Sequence, residues 1–203
     1  RYGSEDAVRF TALVFKTIRD AAYEASIELA RERGPFPWYQ ETEYLHSPFI
    51  LSLEGKTQLG IQTHGIRNAF LTSQAPTGTI AKLAGVWAGI EPYYDRKTII
   101  KNRLGEHNVI APDSEYLVTA DEVSPEAHVE MMVAAQSYID SAVSKTVNAP
   151  KSQTAAETKK VYQLAYARGL KSLAYYRDGS RFEQVLYHPS DPRACTTGEG
   201  ACA

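Results

Sequence analysis

Cysteine is scarce in this chain: only two occur among 203 residues, Cys195 and Cys202, both near the C-terminus. So few cysteines argue against a disulfide-stabilised secreted scaffold. No apolar run approaches the roughly 18 residues of a membrane-spanning helix, and no signal-peptide pattern opens the chain. The formal net charge is only -2, which gives no reason to expect a broad nucleic-acid or membrane surface. We therefore expect a cytoplasmic protein that binds neither membranes nor nucleic acid directly.

What is present is ordinary for a globular protein, with 43% hydrophobic and 23% charged residues. The length suits one domain or a little more. We expect residues 1–187 to form one folded unit and residues 188–203, rich in Pro, Gly and Thr, to form a flexible tail. Predicted strands alternate with predicted helices, which favours an α/β fold.

The sequence predicts three long helices, over about 4–33, 124–143 and 154–169. Each begins with a recognised start signal, namely Ser4, the triplet Ser124-Pro125-Glu126 and the capping box Thr154-Ala-Ala-Glu157. Shorter elements are predicted between them: an aromatic loop at 34–39, a short helix with turns in 40–68, a buried strand at 69–73, a short helix at 80–84, one strand within 85–117 and a strand at 170–176.

The segment Ala75-Pro76-Thr77-Gly78-Thr79-Ile80 joins a predicted strand to a helix start. Free amides at a helix start favour an anion, the glycine permits close approach, and the threonines add hydroxyl donors. This pattern suits a phosphate or diphosphate, although it lacks the ending of a P-loop. An ordinary strand-to-helix connection is the alternative interpretation.

Two further positions are candidates for a substrate site. Glu91, held between a glycine and a proline, suits ribose hydroxyls or is a plain surface acid. Arg177, with Arg181 across a turn, suits a phosphate, or the turn is held by an Asp178–Arg181 pair.

Other reactive residues are weaker candidates. The five histidines have no metal-ligand spacing, so we expect no metal site, and His128 is interpreted as structural. Tyr175-Tyr176 is either a redox pair or an aromatic strand end. Cys195 and Cys202 suit a redox-active dithiol on a tail; a metal-binding remnant and unrelated loose thiols are the alternatives.

Taken together, the segments resemble the C-terminal part of the ribonucleotide reductase catalytic chain, with the nearest likeness to the adenosylcobalamin-dependent class II. Six segments carry the resemblance in the family's order, over roughly residues 4–186: Gly34-Pro-Phe-Pro, Gly65-Ile-Arg-Asn68, Ala75-Pro-Thr-Gly-Thr-Ile80, Gly89-Ile-Glu-Pro92, Ser144-Lys-Thr-Val-Asn148 with Pro150, and Gly169-Leu-Lys171 through Tyr176-Arg-Asp-Gly-Ser-Arg181.

The resemblance implies a fold and a site. The family fold is a ten-stranded α/β barrel made of two five-stranded halves, so this chain would hold most of the second half. The family's Pro-Thr-Gly-Thr loop binds the substrate phosphates, which assigns that role to residues 75–80.

The resemblance also implies radical chemistry that needs residues this chain lacks. In the family a cysteine thiyl radical abstracts the 3′ hydrogen of the ribose, and a cysteine pair supplies electrons while the 2′ hydroxyl leaves as water. Here the cysteines lie only in the tail, more widely spaced than in family tails. We therefore expect a fragment or a split subunit that completes deoxyribonucleotide synthesis with the N-terminal half, adenosylcobalamin, a ribonucleoside di- or triphosphate and a thiol reductant such as thioredoxin.

Two alternatives stay open. The chain would otherwise be a non-catalytic nucleotide-binding module derived from a reductase. The adjacent tyrosines would otherwise form a radical relay like that of the iron-dependent reductases, a role that class II does not require.

Overall fold

The computed structural model describes residues 1–102, 105–181 and 186–187. Its helices and strands follow one another as α1 (Glu5–Arg33), α2 (Glu41–Leu45), α3 (Pro48–Leu51), α4 (Gly55–His64), α5 (Gly78–Leu83), β1 (Lys97–Asn102), β2 (Gly105–Ile110), α6 (Pro125–Gln136), β3 (Thr146–Ala149), α7 (Ala155–Ala167), β4 (Ala174–Arg177) and β5 (Leu186–Tyr187). This mixture fits the predicted α/β class. The described residues do not form a closed barrel.

The ends of α1 and α7 lie where the sequence predicts them. The Ser4 hydroxyl accepts a hydrogen bond from the amide of Ala7 at 3.2 Å, and the amide of Gly34 closes the helix on Ala30. At α7 both halves of the predicted capping box are present, between Thr154 and Glu157. These contacts span three or four residues, so local sequence is enough to predict them.

The predicted helix over 124–143 is wrong in its second half, because α6 ends at Gln136. The Gln136 side chain donates to the carbonyls of Ile139 and Ser141, at 3.0 and 3.2 Å, and so stabilises the turn that follows. Ile139 and Val143 are still buried, each only 1% exposed. Their apolar spacing reflects burial of an extended segment, which continues into the unpredicted strand β3.

Three parallel segments lie side by side. Strands β3 and β4 pair in parallel, with Thr146 opposite Ala174 and Ala149 opposite Arg177, and α7 connects them. Just before β3 in the chain, residues 141–144 run parallel to residues 72–74 through three backbone hydrogen bonds of 2.9 to 3.1 Å. The carboxyl end of the 72–74 segment leads directly into residues 75–80.

The predicted strand at 69–73 is extended but not buried. Phe70 is 71% exposed, and the only β-bridge that the structure shows here joins Gln74 to Val143. The amides of Leu71 and Thr72 donate to the Asp140 carboxylate, at 2.7 and 3.0 Å, instead of to a neighbouring strand.

The region 85–117 contains two strands where one was predicted. Strands β1 and β2 form an antiparallel hairpin from Lys97 opposite Ile110 to Asn102 opposite Gly105, and β5 pairs with the other edge of β1.

Two apolar clusters hold the described elements together. The first lies between α1 and the short helices that follow, and consists of Tyr23, Ile27, Ile50, Leu53, Ile61 and Ile66. The second lies between α6, α7 and β3, and consists of Val129, Met132, Val147, Val161 and Ala165. Helix α1 packs on both α4 and α6 and so joins the two clusters. Within the described ranges, no helix is long and apolar enough to cross a membrane.

Candidate functional site

Residues 75–80, here called the phosphate loop, combine a turn with the start of α5. The carbonyl of Thr77 accepts the amide of Ala81 at 2.9 Å, so Thr77 caps the helix. The amides of residues 78–80 belong to the first turn, where an α-helix offers no carbonyl partner. These three residues are exposed. The loop therefore presents backbone donors to the outside, as anion binding requires.

Gly78 leaves open space above these amides. A Cβ placed on Gly78 meets no atom within 4 Å. Among the described residues, none fills the volume that a side chain would take there, so a ligand can approach the backbone.

The 89–91 segment packs on the phosphate loop. The amide of Gly89 donates to the Thr77 hydroxyl oxygen at 3.0 Å, which leaves that hydroxyl its own hydrogen to donate. Thr77 has a φ of 53°, a left-handed conformation that is unfavourable for a β-branched residue. Gly89 has a φ of 54°, and a Cβ there would lie 3.3 Å from the backbone carbonyl oxygen of Ala75 and 2.6 Å from Nε2 of Gln74, so glycine is strongly favoured at this contact.

A cavity of about 500 Å³ opens beside the phosphate loop. Three segments line it: 73–75, 141–145 and 172–174. These are neighbouring parts of the three parallel segments, and each contributes at least one serine. A ligand on the loop thus has a recess next to it.

Below the loop lies a buried ionic cluster around Lys145, whose side chain is 0% exposed. Its ammonium donates to Oε2 of Glu91 at 3.1 Å, Nδ1 of His128 at 2.7 Å and the carbonyl of Thr146 at 2.7 Å. The other Glu91 oxygen accepts the amide of Thr146 at 2.6 Å. The ring of Tyr2 lies 5.7 Å from the ammonium.

The cluster shifts the protonation of its members. Burial, followed by the charge of Lys145, lowers the pKa of His128 to about 3. The imidazole is therefore neutral at physiological pH, consistent with Nδ1 accepting from Lys145 and Nε2 donating to the carbonyl of Ala120. Burial also lowers the pKa of Lys145, although Glu91 opposes that shift.

The structure brings Glu91, but not Arg177, to the phosphate loop. Glu91 lies two residues after Gly89, yet its two oxygens accept hydrogen bonds from Lys145 and from the amide of Thr146. Arg177 lies at the far end of β4, opposite Ala149, and donates to the carbonyls of Lys151 and Gln153 at 3.3 Å each. Phosphate binding by Arg177 stays a prediction.

The remaining candidate site residues lie either in the protein core or outside the described ranges. His128 is buried and hydrogen-bonded, in agreement with a structural role. Tyr175 packs in the second apolar cluster, and its hydroxyl bonds with that of Thr158 at 3.1 Å. Cys195 and Cys202 lie outside the described residues. Among those described, no group of three His, Cys, Asp or Glu side chains is placed to hold a metal ion.

Lys145 was not predicted to have a role, although the alternating pattern of residues 143–149 indicates that it is buried. Val143, Lys145, Val147 and Ala149 are all at most 5% exposed, whereas residues 144, 146 and 148 between them are half-buried. This alternation is that of a strand with one core-facing side, and it places a lysine in the core. A buried lysine requires an acid partner, which makes Glu91 a candidate.

The fold and this loop define an α/β domain in which a helix start projects from the edge of a parallel sheet. The family described as "Ribonucleotide reductase, barrel domain" matches residues 1–114 and 107–176. The chain belongs to this ribonucleotide reductase family.

Curated relatives agree with the family. The vitamin B12-dependent ribonucleoside-diphosphate reductase of Mycobacterium tuberculosis is 32% identical, over 100% of this chain and 32% of that protein. The enzyme of the same name from Thermoplasma acidophilum is 30% identical, over 91% and 27%. The ribonucleoside-diphosphate reductase 1 subunit alpha of Escherichia coli is 28% identical, over 94% and 29%. The chain thus spans about a third of the length of these relatives.

Proposed function

We propose that this chain is the part of a ribonucleotide reductase that binds the phosphates of the substrate, through residues 75–80. The observation that carries this proposal is the loop itself: first-turn amides on exposed residues, open space above Gly78 and the hydroxyls of Thr77 and Thr79. A helix start of this kind stabilises a polyphosphate without a counter-charged side chain. Because the curated relatives are named ribonucleoside-diphosphate reductases, a diphosphate is the favoured substrate.

The radical step is assigned to the remainder of a longer protein. The reaction needs a thiyl cysteine next to the ribose, and the described residues include no cysteine. Residues 75–80 hold the substrate by its phosphates, and the cavity at 73–75, 141–145 and 172–174 leaves room beside them. In this arrangement the chain orients the nucleotide, while another segment or subunit, equivalent to the N-terminal half, acts on the sugar.

Adenosylcobalamin is the proposed cofactor of the assembled enzyme, in agreement with relatives named for their vitamin B12 dependence. When bound, it supplies the radical that the cysteine carries. The described residues do not fit its binding on their own. The loop cavity, about 500 Å³, and the aromatic cavity between Tyr23 and Lys171, about 460 Å³, are each too small to enclose a cobalamin. We therefore assign the cofactor site to the longer protein.

The tail cysteines Cys195 and Cys202 are proposed to pass reducing equivalents from a thiol reductant such as thioredoxin. Exchange between the two thiols and an active-site disulfide would regenerate the reduced cysteine pair and leave a tail disulfide. The reductant would then reduce that disulfide in turn.

The proposal is tested by assaying ribonucleotide reduction with adenosylcobalamin and a dithiol, first on this chain alone and then with the complementary N-terminal half added. Activity only in the mixture is the expected result. Nucleotide binding by this chain alone, with no activity in either assay, would favour a non-catalytic nucleotide-binding module instead.

Gly78→Val tests the loop directly. The new side chain enters open space, so the fold should tolerate it, whereas the phosphates should lose their approach to the amides. We expect KM for the ribonucleotide to rise about tenfold or more, with Gly78→Ala intermediate. An unchanged KM in the assembled enzyme would contradict the assignment of residues 75–80 to phosphate binding.

A further inference from the structure

We infer that Lys145 and Glu91 act as positioning residues that set the geometry of the phosphate loop from beneath. The inference rests on the proposed phosphate-binding function of residues 75–80. We call the pair the clamp.

The first step is that the clamp fixes Glu91 to β3. Three donors of the Lys145 ammonium meet three acceptors, on Glu91, His128 and Thr146, at 2.7 to 3.1 Å. The second Glu91 oxygen takes the backbone amide of Thr146. The carboxylate thus accepts from the side chain of Lys145, the residue before β3, and from the main-chain amide of Thr146, its first residue. Its oxygens point into the protein, which favours a positioning role over contact with ribose.

The second step is that Glu91 fixes the backbone that precedes it. The hydroxyl of Tyr2, whose ring lies against Lys145, donates to the carbonyl of Ile90 at 2.6 Å, so the same cluster also holds residue 90. Gly89, two residues before Glu91, is packed closely against the loop, since a Cβ built on it would lie 2.6 Å from the side chain of Gln74 and 3.3 Å from the carbonyl oxygen of Ala75.

The third step is that Gly89 fixes the loop. Its amide bonds to the hydroxyl of Thr77, and Thr77 is the residue in the left-handed conformation that caps α5. A non-glycine residue keeps that conformation only where its surroundings impose it. The clamp, acting through residues 89–91, imposes it here and so aligns the first-turn amides.

The experiment uses the complete, active reductase with Glu91→Gln and Lys145→Met. Glu91→Gln keeps the side-chain volume and an acceptor for the Thr146 amide but removes the charge. The matched controls are Glu130→Gln and Arg168→Met, which break an ion pair of 2.6 Å between α6 and the residue that follows α7, away from the loop. The readouts are kcat, KM for the ribonucleotide and the inhibition constant of inorganic pyrophosphate.

We expect the clamp variants to raise KM and the pyrophosphate inhibition constant together, by roughly tenfold, with kcat changed much less. The controls should leave all three near the wild-type values. If Lys145 and Glu91 have only a structural role, their variants should lower the melting temperature without this selective loss of phosphate affinity.

The outcomes separate the two proposals. If Gly78→Val raises KM but folded Glu91→Gln does not, the clamp is wrong and the phosphate loop stands. If neither variant changes KM, the loop does not bind the substrate phosphates. The proposed role of the clamp is then wrong as well. Should Lys145→Met fail to fold, Glu91→Gln decides the question by the same criteria.

Discussion

Asp140→Ala should destabilise the protein strongly, because one buried carboxylate connects three parts of the fold. Asp140 is 8% exposed. It accepts hydrogen bonds from the hydroxyl of Tyr23 at 3.0 Å, the amide of Leu71 at 2.7 Å, and the amide and hydroxyl of Thr72 at 3.0 and 3.2 Å. It therefore joins α1 to the segment that leads into the phosphate loop.

The magnitude follows from the donors that alanine leaves behind. Each buried donor without a partner costs about 1–3 kcal/mol. Leu71 and Thr72 are only half-buried, so water replaces part of what they lose. We expect the free energy of unfolding to fall by about 3 kcal/mol for Asp140→Ala and by about half of that for Asp140→Asn, which retains one acceptor oxygen.

The assay is urea unfolding of the purified protein followed by circular dichroism. Asp113→Ala is the control, since Asp113 is exposed and such surface changes usually stay within about 0.5 kcal/mol. A loss below about 1 kcal/mol for Asp140→Ala would refute the reasoning, because it would mean that water satisfies these donors as well as the carboxylate does.

Two further predictions concern stability. Thr154→Ala removes one half of the capping box of α7 and should lower the free energy of unfolding by about 1 kcal/mol in the same urea assay; no loss would mean that tertiary packing alone sets the start of this helix. Because the pKa of His128 falls from 6.5 to about 3 on folding, the unfolded chain binds a proton in this window that the folded chain does not. The stabilising contribution of neutral His128 is thus complete above about pH 6.5 and is lost as the pH falls towards 3, with a slope of up to about 1.4 kcal/mol per pH unit. Unfolding measured across this range should show a shallower dependence for His128→Gln, and equal slopes would contradict the assignment.

Sequence reasoning succeeded where the interactions are local. The ends of α1 and α7 depend on Ser4, Gly34 and the box at Thr154 and Glu157, each within one helical turn of its partner. A short helix after the Pro-Thr-Gly-Thr turn was also predicted and is present as α5, whereas phosphate binding by residues 75–80 stays a prediction. The likeness of six short segments to ribonucleotide reductases agrees with the family match.

Prediction failed where partners are distant. Val129, Met132 and Ile139 are spaced like one face of a helix, but the chain leaves the helix at Gln136 and continues into a segment that pairs with 72–74 and then with β4. Lys145 and Glu91 meet across 54 positions of sequence. The alternation around Lys145 indicates a buried lysine that needs an acid, but nothing in the sequence near either residue selects Glu91 over the other acids, so the pairing itself is seen only in the structure.

The pairing of the 72–74 segment with residues 140–144 has a consequence for how the protein is made. Thr72 bonds to Asp140 across 68 positions of sequence, and the contacts of Glu91 with Thr146 span 55. A ribosome adds about 5–20 residues per second, so several seconds separate synthesis of the phosphate loop from synthesis of the strand that supports it. During that interval the loop exists without its support. Nucleotide would therefore be unable to guide the early folding of this domain and would bind only after residues 140–146 have joined it.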